Sequence, residues 1–219
     1  MPEERLHVVP LGNLDDFQGA PLSEHEARRR LGLPSAVPVI LFFGLIKPYK
    51  GLLYLIHAFA QVRHRWPEIL LLIVGRPHSD FSPYQRLIEK LKLAHAVHTH
   101  LQYVPYSELA IWFTAAEAVI LPYLATSQSA VLVTAYTFGK PVVATAVGGL
   151  AEMVEPGRSG LLVPPGDEEA LAEAIMNLLA DPNRRVEIGQ YARYLAETRY
   201  AWPPIAQQTL AVYHQVAGL

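Results

Sequence analysis

The pattern of apolar and polar residues divides the chain into short apolar runs separated by longer amphipathic segments. The runs have the length of β-strands, and most carry Val, Ile and Leu at consecutive positions, which is typical of strands buried on both faces of a sheet. The chain has six such runs: Val37–Phe43, Ile69–Val74, Val97–Leu101, Ala118–Leu121, Pro141–Ala144 and Gly160–Val163. The pattern therefore predicts six strands.

The segments between these runs carry the signals of helices. Ser23 and Glu26 form a capping box in front of a short helix, and Gly32 ends it. The predicted helices are Glu24–Leu31, the segment opened by Lys50-Gly51, Tyr84–Leu93, Glu108–Ala115, Ala130–Phe138, Glu168–Leu179, Arg184–Glu197 and Pro204–Val216. Because strands and helices alternate, the sequence predicts an α/β fold with a doubly wound, six-stranded parallel sheet of the Rossmann-like type.

The chain has no low-complexity linker and no internal repeat, so we expect one Rossmann-like domain over residues 1–219. Near the start, Arg5–Phe17 is a short extended piece followed by polar residues. We interpret residues 1–20 as the remnant of a linker from an upstream domain. The two helices within residues 183–219 are expected to close the fold.

Composition excludes several classes of function. The chain is 51% hydrophobic and 17% charged, a balance typical of a globular domain. A formal net charge of −2 argues against a nucleic-acid-binding protein that relies on phosphate contacts. The absence of cysteine excludes disulfides, thiolate catalysis and cysteine metal sites. Without a secretory signal or an apolar run of bilayer length, we expect a cytoplasmic location and no transmembrane segment.

Glycines follow several predicted strands at one edge of the sheet. Gly44, Gly75 and the Gly148-Gly149 pair occupy these positions, where a missing side chain lets a ligand approach the backbone. Plain turn chemistry explains each glycine equally well. Lys47 and Lys50 flank Pro48-Tyr49 after the first strand, and a lysine at a helix start is unfavourable unless an anion compensates for it. A diphosphate is such an anion; a solvated lysine is the alternative.

The stretch Ala118–Gly149 reads as a strand–helix–strand unit around which the rest of the chain is organised. Ser129 is a suitable N-cap for its helix, and the first N–H groups of that helix, at Ala130 and Val131, are suited to phosphate oxygens. The preceding loop offers hydroxyl and amide groups for a sugar, although a polar loop also needs no ligand. Its residues are Thr126, Ser127 and Gln128.

Other candidate sites are weaker. His98 and His100 lie on one face of a strand but lack a third ligand at a recognisable spacing, so no metal site is predicted. Glu152 follows the double glycine, where it either contacts a ligand or pairs with a helix dipole. No Ser-His-Asp arrangement is evident, and no G-x-G-x-x-G follows the first strand, which argues against a dinucleotide oxidoreductase. The catalytic residues stay unassigned.

Several motifs, taken together and in order, resemble the carboxy-terminal half of a family 4 glycosyltransferase of the GT-B fold. They are FFGLIKPYKG, LLIVG, YVPYSEL, AEAVILPY, GKPVVATAVGGLAEMV, EPGRSGLLVPPGD and RYAW. The resemblance implies a retaining transferase that uses a UDP-, GDP- or ADP-sugar as donor and needs no further cofactor. It also implies an upstream acceptor-binding domain, within the same protein or as a separate chain.

The resemblance assigns roles to particular residues. Lys50 matches the lysine that holds the donor diphosphate; the usual arginine beside it is Leu45 here, and Lys47 is a candidate substitute. The family's glutamate pair falls on Thr126 and Thr134, which weakens the expected donor binding. The implied nucleobase and ribose contacts are Gly75, Arg76, Tyr103, Val104 and Thr134. The implied diphosphate contacts are Gly44, Lys47, Lys50, Ser129, Ala130 and Val131, with residues 126–128 on the sugar.

Two functions remain open at this point. One is a donor-binding domain that transfers little or no sugar without its acceptor-binding partner. The other is a non-catalytic or degenerate Rossmann-like module that binds a partner, which the loss of the glutamate pair and the arginine favours. Near the end of the chain, Tyr200, Trp202 and Tyr213 supply apolar surface. If that surface is uncovered, it favours self-association into a homo-oligomer.

Overall fold

A computed structural model describes residues 7–14 and 22–217, and these form one six-stranded parallel sheet covered by helices on both faces. The strands are β1 (Val39–Phe43), β2 (Leu70–Val74), β3 (Val97–His100), β4 (Ala118–Leu121), β5 (Val142–Thr145) and β6 (Gly160–Val163). Their order across the sheet is β3-β2-β1-β4-β5-β6, and every neighbouring pair is parallel. The predicted fold class and all six strands are confirmed.

Helices fill the connections. They are α1 (Glu24–Arg30), α2 (Leu52–Arg65), α3 (Ser82–Lys90), α4 (Leu109–Ala115), α5 (Ala130–Thr137), α6 (Gly148–Met153), α7 (Glu168–Ala180), α8 (Pro182–Glu197) and α9 (Trp202–Ala217). Eight of the nine α-helices within residues 22–217 were predicted. The exception, α6, was missed because it begins with two glycines, which are poor helix formers.

The strand order places a change of direction between β1 and β4. β1 pairs on one side with β2 and on the other with β4, through Ile40–Ala118 and Leu41–Val119. The connections that leave β1 and β4 therefore diverge at the carboxyl edge of the sheet and open a crevice between them, which is where ligands bind in open α/β sheets.

The four central strands are buried almost completely, which explains their unbroken apolar sequences. Phe42, Phe59, Phe113 and Tyr136 are among the largest fully buried side chains. β3 lies at the edge of the sheet and its two middle residues are exposed. Edge position therefore accounts for its polar sequence, VHTH.

A buried ion pair holds α1 to the amino ends of the strands, at the edge of the sheet opposite the crevice. Arg28 is 2% exposed and donates to a Glu117 carboxylate oxygen at 2.6 Å and to the Ala115 carbonyl at 3.0 Å. The second oxygen of Glu117 accepts the N–H of Val39 at the start of β1. These contacts tie α1, α4 and two strands together away from the crevice.

The described part of the amino-terminal segment packs against the end of the chain. The side-chain amide of the buried Asn13 donates to the Ala196 carbonyl at 2.8 Å, and its backbone N–H donates to the Tyr200 carbonyl. Trp202 donates from Nε1 to the Asn13 carbonyl at 3.1 Å. Much of the predicted linker, residues 1–6 and 15–20, lies outside the described residues, so its interpretation stays a prediction.

No helix within residues 7–14 and 22–217 combines the length and apolar character that crossing a bilayer requires. The same residues contain no group of three His, Asp or Glu side chains placed to hold a metal ion. His100 packs its ring against Trp112, with the centroids 4.8 Å apart.

Candidate functional site

Three predicted residues from separate segments meet at the crevice. If residue 44 carried a Cβ, that atom would lie 3.0 Å from Lys50 Nζ and 3.3 Å from Val131 Cγ2. Gly44 follows β1, Lys50 precedes α2, and Val131 is in the first turn of α5. We call the space between these three residues the Lys50 pocket. Because residue 44 is glycine, this space is not filled by a side chain.

The Lys50 side chain is buried although it carries a charge. The residue is 8% exposed, and its ammonium group forms no hydrogen bond or ion pair with any residue that the structure describes. Burial, and to a smaller extent the charge of Lys47, lowers the pKa of Lys50 to about 8. A buried ammonium without a carboxylate partner is unfavourable, and a bound anion would relieve that cost.

The local backbone explains why Lys50 points inward. It ends a single 3-10 turn, Pro48–Lys50, and Gly51 then adopts a left-handed conformation, with φ of 69°, before α2 begins. A Cβ on Gly51 would overlap the carbonyl oxygen of Pro122. Glycine is therefore required at position 51 for the lysine loop to lie against the loop that follows β4.

Two tyrosines line the lysine on the side of β4. Lys50 Nζ lies 5.1 Å from the centre of the Tyr123 ring, and Tyr123 is 2% exposed. The Tyr49 ring meets the Tyr123 ring edge-on at 6.4 Å, and the Tyr49 carbonyl accepts the N–H of Leu124. Sequence analysis assigned no role to either tyrosine. Their positions beside Lys50 and after Pro122 were the available signal.

The amino end of α5 faces the same space. Ser129 is the N-cap, and its hydroxyl accepts the N–H of Leu132 at 3.2 Å. The N–H groups of Ala130 and Val131 lie in the first turn of α5, where the helix supplies no carbonyl acceptor for them. Ala130 is exposed. The helix dipole adds positive potential beside the lysine. An anion in the Lys50 pocket would therefore meet an ammonium and a helix terminus together.

The polar loop before α5 is held in place by the double glycine. A Cβ on Gly148 would overlap the Thr126 carbonyl oxygen, and one on Gly149 would overlap that of Ser127. The Thr126 hydroxyl donates to the Gln128 carbonyl at 2.8 Å, while the side chains of residues 127 and 128 are exposed. The structure thus brings the predicted sugar loop next to α6, on whose exposed surface Glu152 lies.

The loops after β1 and β2 are joined by backbone hydrogen bonds. Gly44 donates to Val74, and Ile46 donates to Arg76 at 3.0 Å. A Cβ on Gly75, whose φ is 136°, would overlap the Gly44 carbonyl oxygen. The side chain of Arg76 is exposed at this edge. Gly75 and Arg76 therefore adjoin the Lys50 pocket through the backbone.

The remaining predicted residues have fewer contacts that relate them to the Lys50 pocket. The half-buried Lys47 has its Nζ 5.9 Å from the Tyr49 ring centre, so it belongs to the same lysine loop. Tyr103 is 70% exposed beyond β3, and Val104 beside it is 8% exposed. Their roles in base recognition stay predictions.

Thr134 is the predicted site residue that this geometry disfavours. It is 4% exposed, and its hydroxyl donates to the Ala130 carbonyl within α5 at 2.8 Å. A hydroxyl that is buried and donates within its own helix is poorly placed to bind ribose. The sequence could not reveal that Thr134 is buried, because the packing of α5 against the core decides which of its faces is hidden.

A cavity also lies at the opposite edge of the sheet. Its volume is about 630 Å³, and it lies between α4, the end of α5 and α8. Thr114, Lys140, Arg193 and Glu197 are among its lining residues. None of the residues predicted to bind the donor lines this cavity.

The sequence and the fold of the chain match those of known proteins. The family model for glycosyl transferases group 1 matches residues 23–194, which include the whole crevice. The chain belongs to this family. It corresponds to the carboxy-terminal domain of GT-B enzymes, as the sequence resemblance implied.

This group 1 glycosyltransferase chain is similar to proteins twice its length. It is 35% identical over 216 residues to a D-inositol 3-phosphate glycosyltransferase of Corynebacterium urealyticum, covering 95% of the chain and 50% of the relative. Sucrose-phosphate synthase of Thermosynechococcus elongatus superposes with a TM-score of 0.86 at 31% identity, over 97% of this chain and 53% of that one.

A second similar structure contains ligands. The HepE protein of Anabaena, in complex with UDP and glucose, matches with a TM-score of 0.82 and 25% identity, over 97% of this chain and 57% of that one. The chain thus spans about half the length of the relatives that it matches.

Proposed function

We propose that the chain binds the diphosphate of a nucleotide sugar in the Lys50 pocket, as the donor-binding half of a retaining family 4 glycosyltransferase. The observation that carries this proposal is the buried ammonium of Lys50, which has no acidic partner among the described residues and lies beside the first turn of α5. A doubly charged, oxygen-rich group matches both features.

The similar structures support this choice of ligand. HepE was solved with UDP and glucose, and the other relatives bear the names of sugar-transferring enzymes. UDP is therefore the first nucleotide to test, with GDP and ADP as comparisons. The nucleotide sugar is the donor substrate, and we propose no further cofactor.

The residues of the pocket act on the leaving group. During transfer, the bond between the sugar carbon and the diphosphate oxygen breaks, and its electron pair stays on the diphosphate. Lys50 and the N–H groups of Ala130 and Val131 stabilise this growing charge because they are already oriented towards it. The acceptor hydroxyl bonds to the same sugar carbon, on the face that the diphosphate left, and its proton passes to a base.

That base and the acceptor site lie outside the donor pocket. Because the chain spans half of its relatives, we propose that an acceptor-binding domain, joined to it or encoded separately, completes the enzyme. We expect the 219 residues alone to bind nucleotide weakly and to transfer little or no sugar, and we propose a cytoplasmic location.

Calorimetry tests this function directly. Titration of the chain with UDP, GDP and ADP is expected to give heat with at least one nucleotide, and Lys50→Met is expected to remove that heat. The alternative, a non-catalytic partner-binding module, is favoured by Leu45, Thr126 and Thr134, at positions where the resemblance implies charged residues. Absence of heat with all three nucleotides in the wild-type chain would contradict donor binding and favour that alternative.

A further inference from the structure

We propose that Tyr123 is a positioning residue for the donor site: its ring holds the ammonium of Lys50 at the mouth of the Lys50 pocket. The consequence for nucleotide binding rests on the proposed function. The placement of Lys50 by Tyr123 does not, because it concerns the unliganded chain.

The geometry places the ring where it acts on the charge. Lys50 Nζ lies 5.1 Å from the Tyr123 ring centre, within the range of a cation–π interaction. The same nitrogen lies 3.0 Å from the point where a Cβ on Gly44 would stand. The ammonium therefore contacts an aromatic ring and also adjoins the point that Gly44 leaves without a side chain.

No other group that the structure describes holds the ammonium. Lys50 donates no side-chain hydrogen bond there, and the one charge that acts on it appreciably, Lys47, repels it. Low exposure strengthens the attraction of the ring, because water does not screen it. Tyr123 thus stabilises a charge that the surrounding protein otherwise disfavours.

The ring is itself fixed from several sides. The Tyr123 carbonyl accepts the Thr145 hydroxyl, and its ring packs against Tyr49 edge-on. The side chain is 2% exposed, and burial raises the pKa of its hydroxyl, which therefore stays neutral. A ring held so firmly restricts where the flexible lysine side chain ends.

The hydroxyl of Tyr123 contributes little to this role. It is buried near Ser129 but forms no hydrogen bond of acceptable geometry with the described residues. Phenylalanine keeps the ring face and removes this buried polar atom. The proposal therefore predicts different results for two variants. Tyr123→Phe keeps the ring that holds Lys50, whereas Tyr123→Leu removes the ring and leaves a buried apolar side chain.

The experiment measures Lys50 in the unliganded chain and nucleotide binding in the same variants. NMR titration of ¹³C-labelled lysine, with the Lys50 signal assigned from Lys50→Met, gives its pKa. We expect Tyr123→Phe to match the wild type, and Tyr123→Leu to lower the Lys50 pKa by about half a unit or more and weaken UDP binding about tenfold. Tyr136→Phe, at another buried tyrosine, is the control and should change neither.

The outcomes distinguish the two proposals. Equal Lys50 titration and equal UDP affinity in the Phe and Leu variants would overturn the role of Tyr123. If the wild-type chain binds no nucleotide, the proposed function fails, while the titration still decides whether the ring holds the lysine. Tyr123→Met, which also lacks a ring, replaces the Leu variant if that one does not fold.

Discussion

Lys50 Nζ lies 3.0 Å from the point at which a Cβ of residue 44 would stand, and Gly44 leaves that point vacant. The two residues come from opposite ends of the loop that follows β1. Gly44 has a φ of 105°, a conformation that residues with a side chain rarely adopt. The absence of a side chain at position 44 therefore both permits the turn and leaves the space beside the ammonium open.

The first prediction concerns this glycine. Gly44→Ala is expected to weaken UDP binding at least about tenfold, since the added methyl occupies the space beside Lys50 and strains the backbone. The matched control is Gly32→Ala, which also has a positive φ, 65°, but has no atom within 4 Å of the new Cβ. Calorimetry should show loss of binding only in the first variant, although both lose thermal stability.

The second prediction separates stability from binding at Lys50. Lys50→Met is expected to leave the free energy of unfolding unchanged or raise it by up to about 3 kcal/mol, because a buried, unpaired charge is removed. The same variant should weaken UDP binding about 100-fold through loss of a charge-assisted contact. Lys47→Met, at a half-buried lysine, should affect both quantities less. A marked loss of stability in Lys50→Met would contradict the proposed cost of the charge.

The third prediction is a pH dependence with opposite signs for folding and binding. The pKa of Lys50 falls from 10.5 to about 8 on folding, so the unfolded chain holds more protons between these values. The cost of burying the charge is complete below pH 8, and the contribution of Lys50 to stability rises with pH from about 8 to 10.5. Diphosphate binding needs the charged form, so affinity should fall over the same range. Denaturation and calorimetry at several pH values, with Lys50→Met as the variant that lacks both trends, test this.

Much of the fold followed from the sequence because strand and helix signals were local. Each strand lies within two residues of its prediction, since buried parallel strands are unbroken apolar runs. The convergence of Gly44, Lys50 and Val131 was predictable for a related reason. Parallel strands deliver the loops at their carboxyl ends to one edge, so residues distant in sequence arrive together.

The rest depended on packing that no local pattern encodes. α6 begins with Gly148 and Gly149, which are poor helix formers but are required there because the loop at residues 126–127 lies against them. Thr134 was expected to face a ligand, and the register of α5 turns it into the core. Tyr123 had no assigned role, since its contact with Lys50 joins residues 73 positions apart in the chain.

The fourth prediction concerns the closing helix α9. Of the three residues expected to supply apolar surface here, Tyr200 is buried in the core, whereas Trp202 and Tyr213 are exposed. Leu210, Tyr213 and Val216 follow one another at helical spacing and are 54%, 67% and 77% exposed. We expect the isolated chain to self-associate weakly through this apolar face. Tyr213→Glu should shift sedimentation towards the monomer, whereas Tyr194→Glu, at an exposed tyrosine of α8, should not. A strict monomer at high wild-type concentration would contradict this.

The fifth prediction concerns the Arg28–Glu117 ion pair, which lies far from the donor site. Arg28→Met leaves Glu117 without its partner in a setting where that side chain is 12% exposed, so we expect a loss of about 3 kcal/mol in the free energy of unfolding. Arg29→Met, in the same helix, removes an ion pair whose arginine side chain is 68% exposed, and should change stability little.

Glu117→Gln sharpens this comparison. The amide oxygen can still accept the N–H of Val39, but the variant removes the negative charge opposite Arg28. Chemical denaturation should therefore find it destabilised as well, because the buried guanidinium then keeps only the half-exposed Glu24 as an acidic partner. UDP binding at the folded chain should be unaffected in all three variants, since this ion pair and the Lys50 pocket lie at opposite edges of the sheet. Equal stability of Arg28→Met and Arg29→Met would show that burial adds nothing to the pair.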